Sequence, residues 1–479
     1  MVPLRAGLIQ WNRRARRTGH RTPRVIGPRR EERTVRIGVM GNGHVGLVTC
    51  LSLAEIGHDV VGTDVDAAKM RRLQSGTVGF YEPELDDALP RLLSSGRLRF
   101  TGEAAAALDS AEVVFICVGT PAGPDGEADL TAVDAAAVDV AHHARGRIVL
   151  VQKSTVPVGT AERIAAIIEL ERRDPGLTVE IVSNPEFLRE GHALSDALNP
   201  ERIVVGARSP WAVARMRRLF APLIQRGARF VATDPHTAEL AKLACNGFLA
   251  TKISFANALA RIAERAGADV DVVTAVMGDD PRIGRDFLGA GLGYGGYCLP
   301  KDVPALERMA DRFGYDFGLL RETIRINDEA LDTVAANVAR VVGSIHRPRI
   351  GLLGLAFKPG TDDVRNSPAM ELVRRFLDGG ADVVAYDPRV TRDATTTLPA
   401  LEHAADAASV ANDADCVVVA TDWPEFAELD LRDLASRTRR AVLVDGRNLI
   451  DADRAGEAGF VYIGVGRPAP VPTVRTEVA

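Results

Sequence analysis

Cys298 lies within Gly291-Leu292-Gly293-Tyr294-Gly295-Gly296-Tyr297-Cys298-Leu299-Pro300-Lys301-Asp302, a setting suited to a thiol nucleophile. Glycines let a substrate approach the backbone closely, and Pro300 suits the first turn of a helix starting just after the thiol. A helix N-terminus and Lys301 would both favour thiolate over thiol. Asp302 falls one turn on, on the same helical face, within reach of a water or hydroxyl beside the sulfur. The plainer alternative is a tight turn around a small buried cysteine. Cys50, Cys117, Cys245 and Cys416 sit in apolar segments and read as buried and inert.

Lys242 and Asn246 stand four apart among Leu243, Ala244 and Phe248, and a lysine on a mostly apolar helix needs a partner or a task. Aimed at a developing alkoxide or tetrahedral oxyanion, its ammonium would offset that charge, and Asn246 would add an amide donor. Otherwise Lys242 snorkels to solvent or pairs with Asp234 or Glu239. Glu186 and Glu190, in Asn184-Pro185-Glu186-Phe187-Leu188-Arg189-Glu190-Gly191, are also four apart. Either one orients a water and the other lies near a cofactor or sugar, or both belong to an exposed helical turn with Arg189. Lys252 and Asn257 carry no motif and read as surface and packing positions.

Gly41-Asn42-Gly43-His44-Val45-Gly46 falls between a strand and a helix rich in Leu, Val and Ala, the context a dinucleotide fingerprint requires. Asp64 ends the second apolar run, where an acid would accept hydrogen bonds from an adenosine ribose and repel a 2'-phosphate, favouring NAD over NADP. Lys69 is a further contact or a solvated surface charge. Thr120, in Val118-Gly119-Thr120-Pro121, and Thr155, in Lys153-Ser154-Thr155-Val156-Pro157, end strands at the carboxyl edge where ligands bind, although threonine is common there.

These residues need a scaffold, and 479 residues exceed what one core can serve, so two or three domains are expected. The pattern predicts strands at 35–40, 60–63, 113–118, 148–152, 179–183 and 202–206, separated by helices: a doubly wound parallel sheet. Residues 236–266 predict one long helix, and a second helical stretch follows at 317–342. Strand signals resume at 349–353, 383–386, 416–420 and 442–444. That second Rossmann-like α/β domain opens with Gly351-Leu352-Leu353-Gly354-Leu355-Ala356-Phe357-Lys358, which lacks the triple-glycine pattern. The expected organisation is a basic, disordered extension over 1–34, an NAD-binding Rossmann domain over 35–235 and a central helical, dimerising domain over 236–342. A C-terminal nucleotide-sugar-binding domain over 343–466 and a flexible tail over 467–479 complete it.

The formal charge of −5 divides unevenly: residues 1–33 hold ten Arg against two Glu, so the head carries +8 and the rest −13. A basic nucleic-acid-binding body is excluded, and the head lacks the apolar stretch of a secretory signal. Five cysteines without close pairs argue against disulfides and a cysteine metal site, and point to a reducing, cytoplasmic setting. No apolar run reaches membrane-spanning length, so no membrane partner is expected.

Taken in order, six motifs resemble the UDP-glucose/GDP-mannose dehydrogenase family between Val35 and about Gly466. They are Gly41–Gly46, Lys153–Pro157, Asn184–Gly191, Lys242–Asn246, Gly291–Asp302, and Gly354–Lys358 with Thr361–Pro368. The resemblance implies twofold, NAD-dependent oxidation of the C6 alcohol of a sugar nucleotide, UDP-glucose to UDP-glucuronate, through a thiohemiacetal and thioester on Cys298. It implies that Lys242, Asn246 and Asp302 stabilise charge and move protons, that Thr155 and Glu186 hold the catalytic water, and that Glu190 lies near the nicotinamide. Phe187 and Leu188 would join Glu186 at the sugar. Arg282 resembles an arginine that reaches the substrate across a homodimer interface, with Phe287, Leu288 and Gly293 in the loop that closes over it. Lys358 and Arg447 resemble nucleotide contacts, and Arg365 a contact to NAD. Gly289 and Ala258 depart from the family pattern. Asn199–Gly206 resembles the members that act on UDP-glucose, GDP-mannose being the alternative substrate. A single-hydride β-hydroxyacid dehydrogenase and a non-catalytic sugar-nucleotide sensor are the competing classes.

Overall fold

The computed structural model describes residues 34–124 and 126–468. The expectations for the basic head and for a tail beyond Pro468 lie outside the described residues. The described residues from Val35 to Pro468 form one compact unit.

Its first sheet has eight strands: β1 (Arg36–Met40), β2 (Asp59–Thr63), β3 (Leu98–Thr101), β4 (Val113–Ile116), β5 (Arg147–Gln152), β6 (Thr178–Ser183), β7 (Arg202–Ala207) and β8 (Arg229–Thr233). They lie in the order β3-β2-β1-β4-β5-β6-β7-β8. Alternation along β4 sends Val113 and Phe115 into one apolar layer and Val114 and Ile116 into the other, so helices cover both faces. The sheet is parallel except where β7 meets β6 antiparallel, through Val182↔Ala207 and Ser183↔Gly206 only. The rest of β7, with β8 alongside, therefore extends past the carboxyl edge, and residues 184–201 stay at that edge. Neither β3 nor β8 was expected, because Arg99 interrupts the first and the apolar run of the second is only three residues long.

A helix of 32 residues follows, Pro235–Ala266, about 48 Å long at 1.5 Å per residue. Asp234 caps its start by accepting the Thr237 N–H at 2.9 Å, Pro235 fills the first turn, and Gly267 ends it at φ +70°. It packs on the helices Cys298–Arg312 and Gly318–Val342, with Leu243, Ala250, Val303, Leu306 and Leu320 between them.

The second sheet is parallel throughout: β9 (Arg349–Leu353), β10 (Asp382–Tyr386), β11 (Glu402–His403), β12 (Cys416–Val419), β13 (Val442–Asp445) and β14 (Val461–Gly464), in the order β11-β10-β9-β12-β13-β14. The unexpected β11 and β14 are its two edges, where a strand needs only one apolar neighbour. Arg467, assigned to the tail by composition, is tied down: its guanidinium donates to Asp271 and to the Tyr462 hydroxyl, each at 2.6 Å. No helix among the described residues is long and apolar enough to cross a membrane.

Candidate active site

Cys298 is the first residue of its helix and is half-buried. The loop before it folds only with glycine at key points. At Gly293 (φ +88°) a Cβ would stand 2.5 Å from the Asn327 side chain, and at Gly296 (φ +79°) 2.7 Å from the Phe357 ring. Asn327 clamps the loop by accepting the Tyr294 N–H at 2.7 Å and donating to the Tyr294 carbonyl at 3.2 Å. Lys301 favours the thiolate as expected, but it does not decide the balance. Burial, and then the carboxylate of Glu186, push the Cys298 thiol up to about 12, outweighing Lys242 and Lys301, so the resting group is a thiol.

Two charge relays converge beside it. Lys242 pairs with Glu186 at 2.9 Å, and both are buried, so the alternatives of snorkelling or pairing with Asp234 or Glu239 are set aside. Burial works against the charge on each partner, yet Lys242 is raised by Glu186, Cys298 and Asp302, and Glu186 is lowered chiefly by Lys242. Glu186 also accepts the Leu188 N–H at 2.6 Å, so it is not part of an exposed turn. In the second relay, Asn246 Nδ2 donates to Asp302 Oδ2 at 2.6 Å and Lys301 Nζ to Asp302 Oδ1 at 2.6 Å. Thr120, Thr155, Lys301 and Asp302 line one small cavity next to this pair, and the Thr120 hydroxyl holds the Thr155 carbonyl at 2.8 Å.

The fingerprint glycines fit a dinucleotide. A Cβ at Gly46 would collide with the Gly41 carbonyl at 1.8 Å and one at Gly41 with Val118 at 2.8 Å, whereas the space beside Gly43 is open, as a pyrophosphate requires. Asn42 fixes the turn: its N–H donates to Asp64 Oδ2 at 2.7 Å and its side-chain amide to the Thr63 carbonyl at 2.7 Å. Lys69 pairs with the same Asp64 oxygen at 2.8 Å rather than lying free at the surface. Although burial opposes it, Lys69 and two backbone N–H groups hold the Asp64 carboxyl below its ordinary range. Val45 lies in the first turn of the helix His44–Glu55 behind the glycine turn.

His44 Nε2 lies 2.9 Å from Glu82 Oε2, and the enclosed Glu82 carboxylate also accepts the Gly191 and Ala193 N–H groups at 2.7 and 2.8 Å. Glu82 thereby joins the glycine loop to the segment carrying Glu186 and Glu190. Burial raises the Glu190 carboxyl, and its Oε2 is a buried acceptor without a hydrogen-bond partner among the described residues. Arg365, chelated by Asp363, stacks on the Tyr297 ring at 4.4 Å and brings the C-terminal domain to the same place.

On the other side of the thiol, Phe187 lies under the Arg202 guanidinium at 4.1 Å and 5.5 Å from the Lys242 ammonium. Leu188 is half-buried and Leu288 buried. Phe287 holds a left-handed φ of +64°, which for a phenylalanine is strain of the kind found at ligand loops. Lys358 donates to the Glu190 carbonyl. Arg447 spends its guanidinium on the carbonyls of Ala420, Gly293 and Phe357 at 2.9 to 3.3 Å, bracing the cleft wall. Arg282 is not gathered with the others: its side chain is 87% exposed and, among the described residues, pairs with Asp280.

Sequence reasoning missed Glu82, Asn327 and the Asp302 contact of Lys301. Asn257 is the packing position expected, buried and accepting the Gly291 N–H at 2.8 Å, while Lys252, half-buried, also donates to the Ile283 and Gly284 carbonyls at 3.1 and 3.2 Å. Lys153 is half-buried, held 3.4 Å from Asn184 Oδ1, and burial lowers its pKa. A usable signal was present for Glu82 alone, an acid beside aromatic and proline residues in Phe80-Tyr81-Glu82-Pro83.

Three domain models of the UDP-glucose/GDP-mannose dehydrogenase family match the chain: the NAD binding domain over residues 35–224, the central domain over 236–329 and the UDP binding domain over 351–452. The chain is 42% identical to the UDP-glucose 6-dehydrogenase TuaD of Bacillus subtilis over 435 residues, 91% of this chain and 94% of that protein. It is 42% identical to the UDP-glucose 6-dehydrogenase of Rhizobium meliloti over 438 residues, 91% of this chain and 100% of that one. Among solved structures, a UDP-glucose dehydrogenase from the archaeon Pyrobaculum islandicum superposes with a TM-score of 0.86 at 38% identity, covering 92% of this chain and 99% of its own.

Proposed function

The chain belongs to the UDP-glucose/GDP-mannose dehydrogenase family, and we propose that it oxidises the C6 alcohol of UDP-glucose twice, with two NAD molecules, to UDP-glucuronate. The observation that carries this reading is the placement of the Cys298 helix start against the Lys242–Glu186 pair and the Asn246–Asp302–Lys301 relay, beside the dinucleotide turn. NAD supplies hydride acceptance when bound, and Gly41, Gly43, Gly46 and Asp64 would hold it. Lys242 stabilises the alkoxide that forms as the C6 hydroxyl gives up its proton through the Asp302 relay, and loss of hydride from C6 then leaves the aldehyde.

The Cys298 sulfur then adds to the aldehyde carbon, and its proton passes to the carbonyl oxygen, giving a thiohemiacetal. This keeps the aldehyde in the site and gives C6 a second hydride to lose, with the hydroxyl proton, leaving a thioester. A water held by Thr155 and Glu186 adds to the acyl carbon, and Lys242 and Asn246 face the oxyanion. The C–S bond breaks, the thiolate is reprotonated, and the carboxylate departs. The neutral resting thiol suits this order, since a proton is needed on the oxygen as the sulfur adds.

Glu190, Arg365, Thr120 and Lys69 complete the NAD side. Lys358, Arg447, Phe187, Leu188, Phe287, Leu288 and Gly293 shape the sugar-nucleotide side. Asp64→Ala is expected to raise KM for NAD roughly 10- to 100-fold, the scale of a lost charge-assisted hydrogen bond, and to narrow the preference over NADP. Initial rates with both cofactors check this, and an unchanged NAD:NADP ratio would remove Asp64 from recognition. The five unpaired cysteines accord with a reducing, cytoplasmic setting.

A homodimer through the long helix fits its solvent face. Phe248, Phe255 and Ile262 recur every seven residues at 66, 52 and 60% exposure, and Val272, Val276 and Ile283 are exposed nearby. Arg282 is next to Ile283, where it would reach the partner's sugar nucleotide. Phe255→Glu is expected to yield monomers in sedimentation and to raise KM for UDP-glucose; a monomer with wild-type kinetics would end the trans role of Arg282. The substrate assignment is tested by identifying the product from UDP-glucose with GDP-mannose run in parallel. UDP-glucuronate from the first alone is the expected result, and GDP-mannuronate from the second would reassign the substrate.

A further inference from the structure

Glu239, which the reaction above leaves without a task, stands one turn before Lys242 on the long helix and is 3% exposed. Its Oε2 accepts the Gly159 N–H at 2.9 Å, and its Oε1 accepts the Ala161 N–H at 3.1 Å and the Ser183 hydroxyl at 3.0 Å. Gly159 and Ala161 open the helix Thr160–Glu171, directly after the segment carrying Thr155, and Ser183 ends β6 just before the segment carrying Glu186. One carboxylate therefore ties to the long helix both stretches of chain that hold the water.

A carboxylate at this helix start is favoured by the unpaired N–H groups and the helix dipole. Packing alone would not call for it, because a buried charge costs more than an apolar group of the same size unless it is fully paired. The other half of the site is fixed separately, since Asn246 and Asp302 lock the long helix to the Cys298 helix at 2.6 Å. The Glu239 bonds thus set how far the Thr155 and Glu186 side stands from the thiol side. Only the hydrolytic step needs a water placed across that gap.

We propose that Glu239 is a positioning residue for thioester hydrolysis, holding the Thr155 and Glu186 segments at the distance that sets the attacking water against the acyl carbon on Cys298. The proposal rests on the reaction proposed above. In Glu239→Gln the amide keeps the size of the side chain but turns a donor toward at least one N–H or hydroxyl, so a bond is replaced by a repulsion.

The test is a pre-steady-state reaction of the full-length variant with saturating NAD and UDP-glucose, followed by absorbance and by intact-protein mass spectrometry after an acid quench. The expected result is a burst of two NADH per site at the wild-type rate, then turnover slowed about 100-fold, the scale of a misplacement of about 1 Å. The acyl-enzyme on Cys298 should accumulate, and KM for UDP-glucose should hold. A purely structural role would slow both oxidations and hydrolysis together and show no adduct, and that outcome overturns the proposal. Ser183→Ala, which removes one bond without placing a new donor, should show a smaller burst and the same adduct. If Glu239→Gln fails to fold, absence of the adduct in Ser183→Ala overturns the proposal by itself. A wild type that yields fewer than two NADH per UDP-glucose would sink the reaction and the clamp with it. A two-NADH wild type with no adduct in either variant sinks the clamp alone.

Discussion

Cys298→Ser is expected to lower turnover by on the order of 10^4-fold or more, as for other enzymes that lose a nucleophile acting within a relay, while NAD affinity stays at the wild-type value. A hydroxyl is a far poorer nucleophile and leaving group than a thiol at neutral pH, so the variant should stop after one NADH or retain the sugar as an ester. The glycine loop and the relay groups would stand as before, because serine fits wherever the sulfur does. Mass spectrometry of the quenched variant, with equilibrium titration of NAD, checks both halves. Wild-type turnover in this variant would take the thiol out of the mechanism.

Lys242→Met should be nearly as damaging and should also destabilise the fold. Its ammonium is an oxyanion donor, whose loss typically costs ~100- to 1,000-fold in rate. Removing it also leaves the Glu186 carboxylate buried without its 2.9 Å partner, a change of about 3 to 5 kcal/mol. The direction with pH follows from the two shifts. Glu186 is lowered in the folded protein, so its contribution is present above the unfolded carboxylate pKa of about 4 and is lost as pH falls through the folded value. Lys242 is raised, so its contribution is present below about pH 10 and is lost as pH rises through its folded value. Denaturant titrations should therefore show the gap between wild type and variant at full size around pH 7 and narrowing below about pH 4. A gap that does not vary with pH would mean that the Lys242→Met variant fails through packing rather than through the lost pair.

Most of this scaffold is legible along the chain because its signals are local. A strand such as Arg349–Leu353 is a compact apolar run, and the long helix announces itself by its unbroken helical spacing between Asp234 and Gly267. The dinucleotide turn is equally local, since Gly41 and Gly46 answer collisions within that turn or with the chain just past the adjoining strand, and Gly43 leaves open space. What could not be read depends on distance in the sequence. Glu239 meets Gly159 from 80 residues away, Glu82 meets Gly191 from 109, and Asn327 meets Tyr294 from 33. Nothing in the neighbouring residues marks Glu239 or Asn327 as a structural tie, and Glu82 has only its aromatic and proline neighbours to mark it. The antiparallel turn of β7 is invisible for a similar reason: its apolar run reads the same in either direction. The thiol shows the limit most clearly, because the helix start and Lys301 are adjacent in sequence whereas Glu186, which opposes them, arrives from 112 residues away.

The central claim, that one thiol carries the sugar through two oxidations, is tested most directly by the NADH formed per molecule of limiting UDP-glucose. Two are predicted for the wild type, with none left as free aldehyde, because Cys298 holds the first product for the second hydride transfer. One NADH per UDP-glucose, with aldehyde in solution, would contradict the account and leave the thiol without its role.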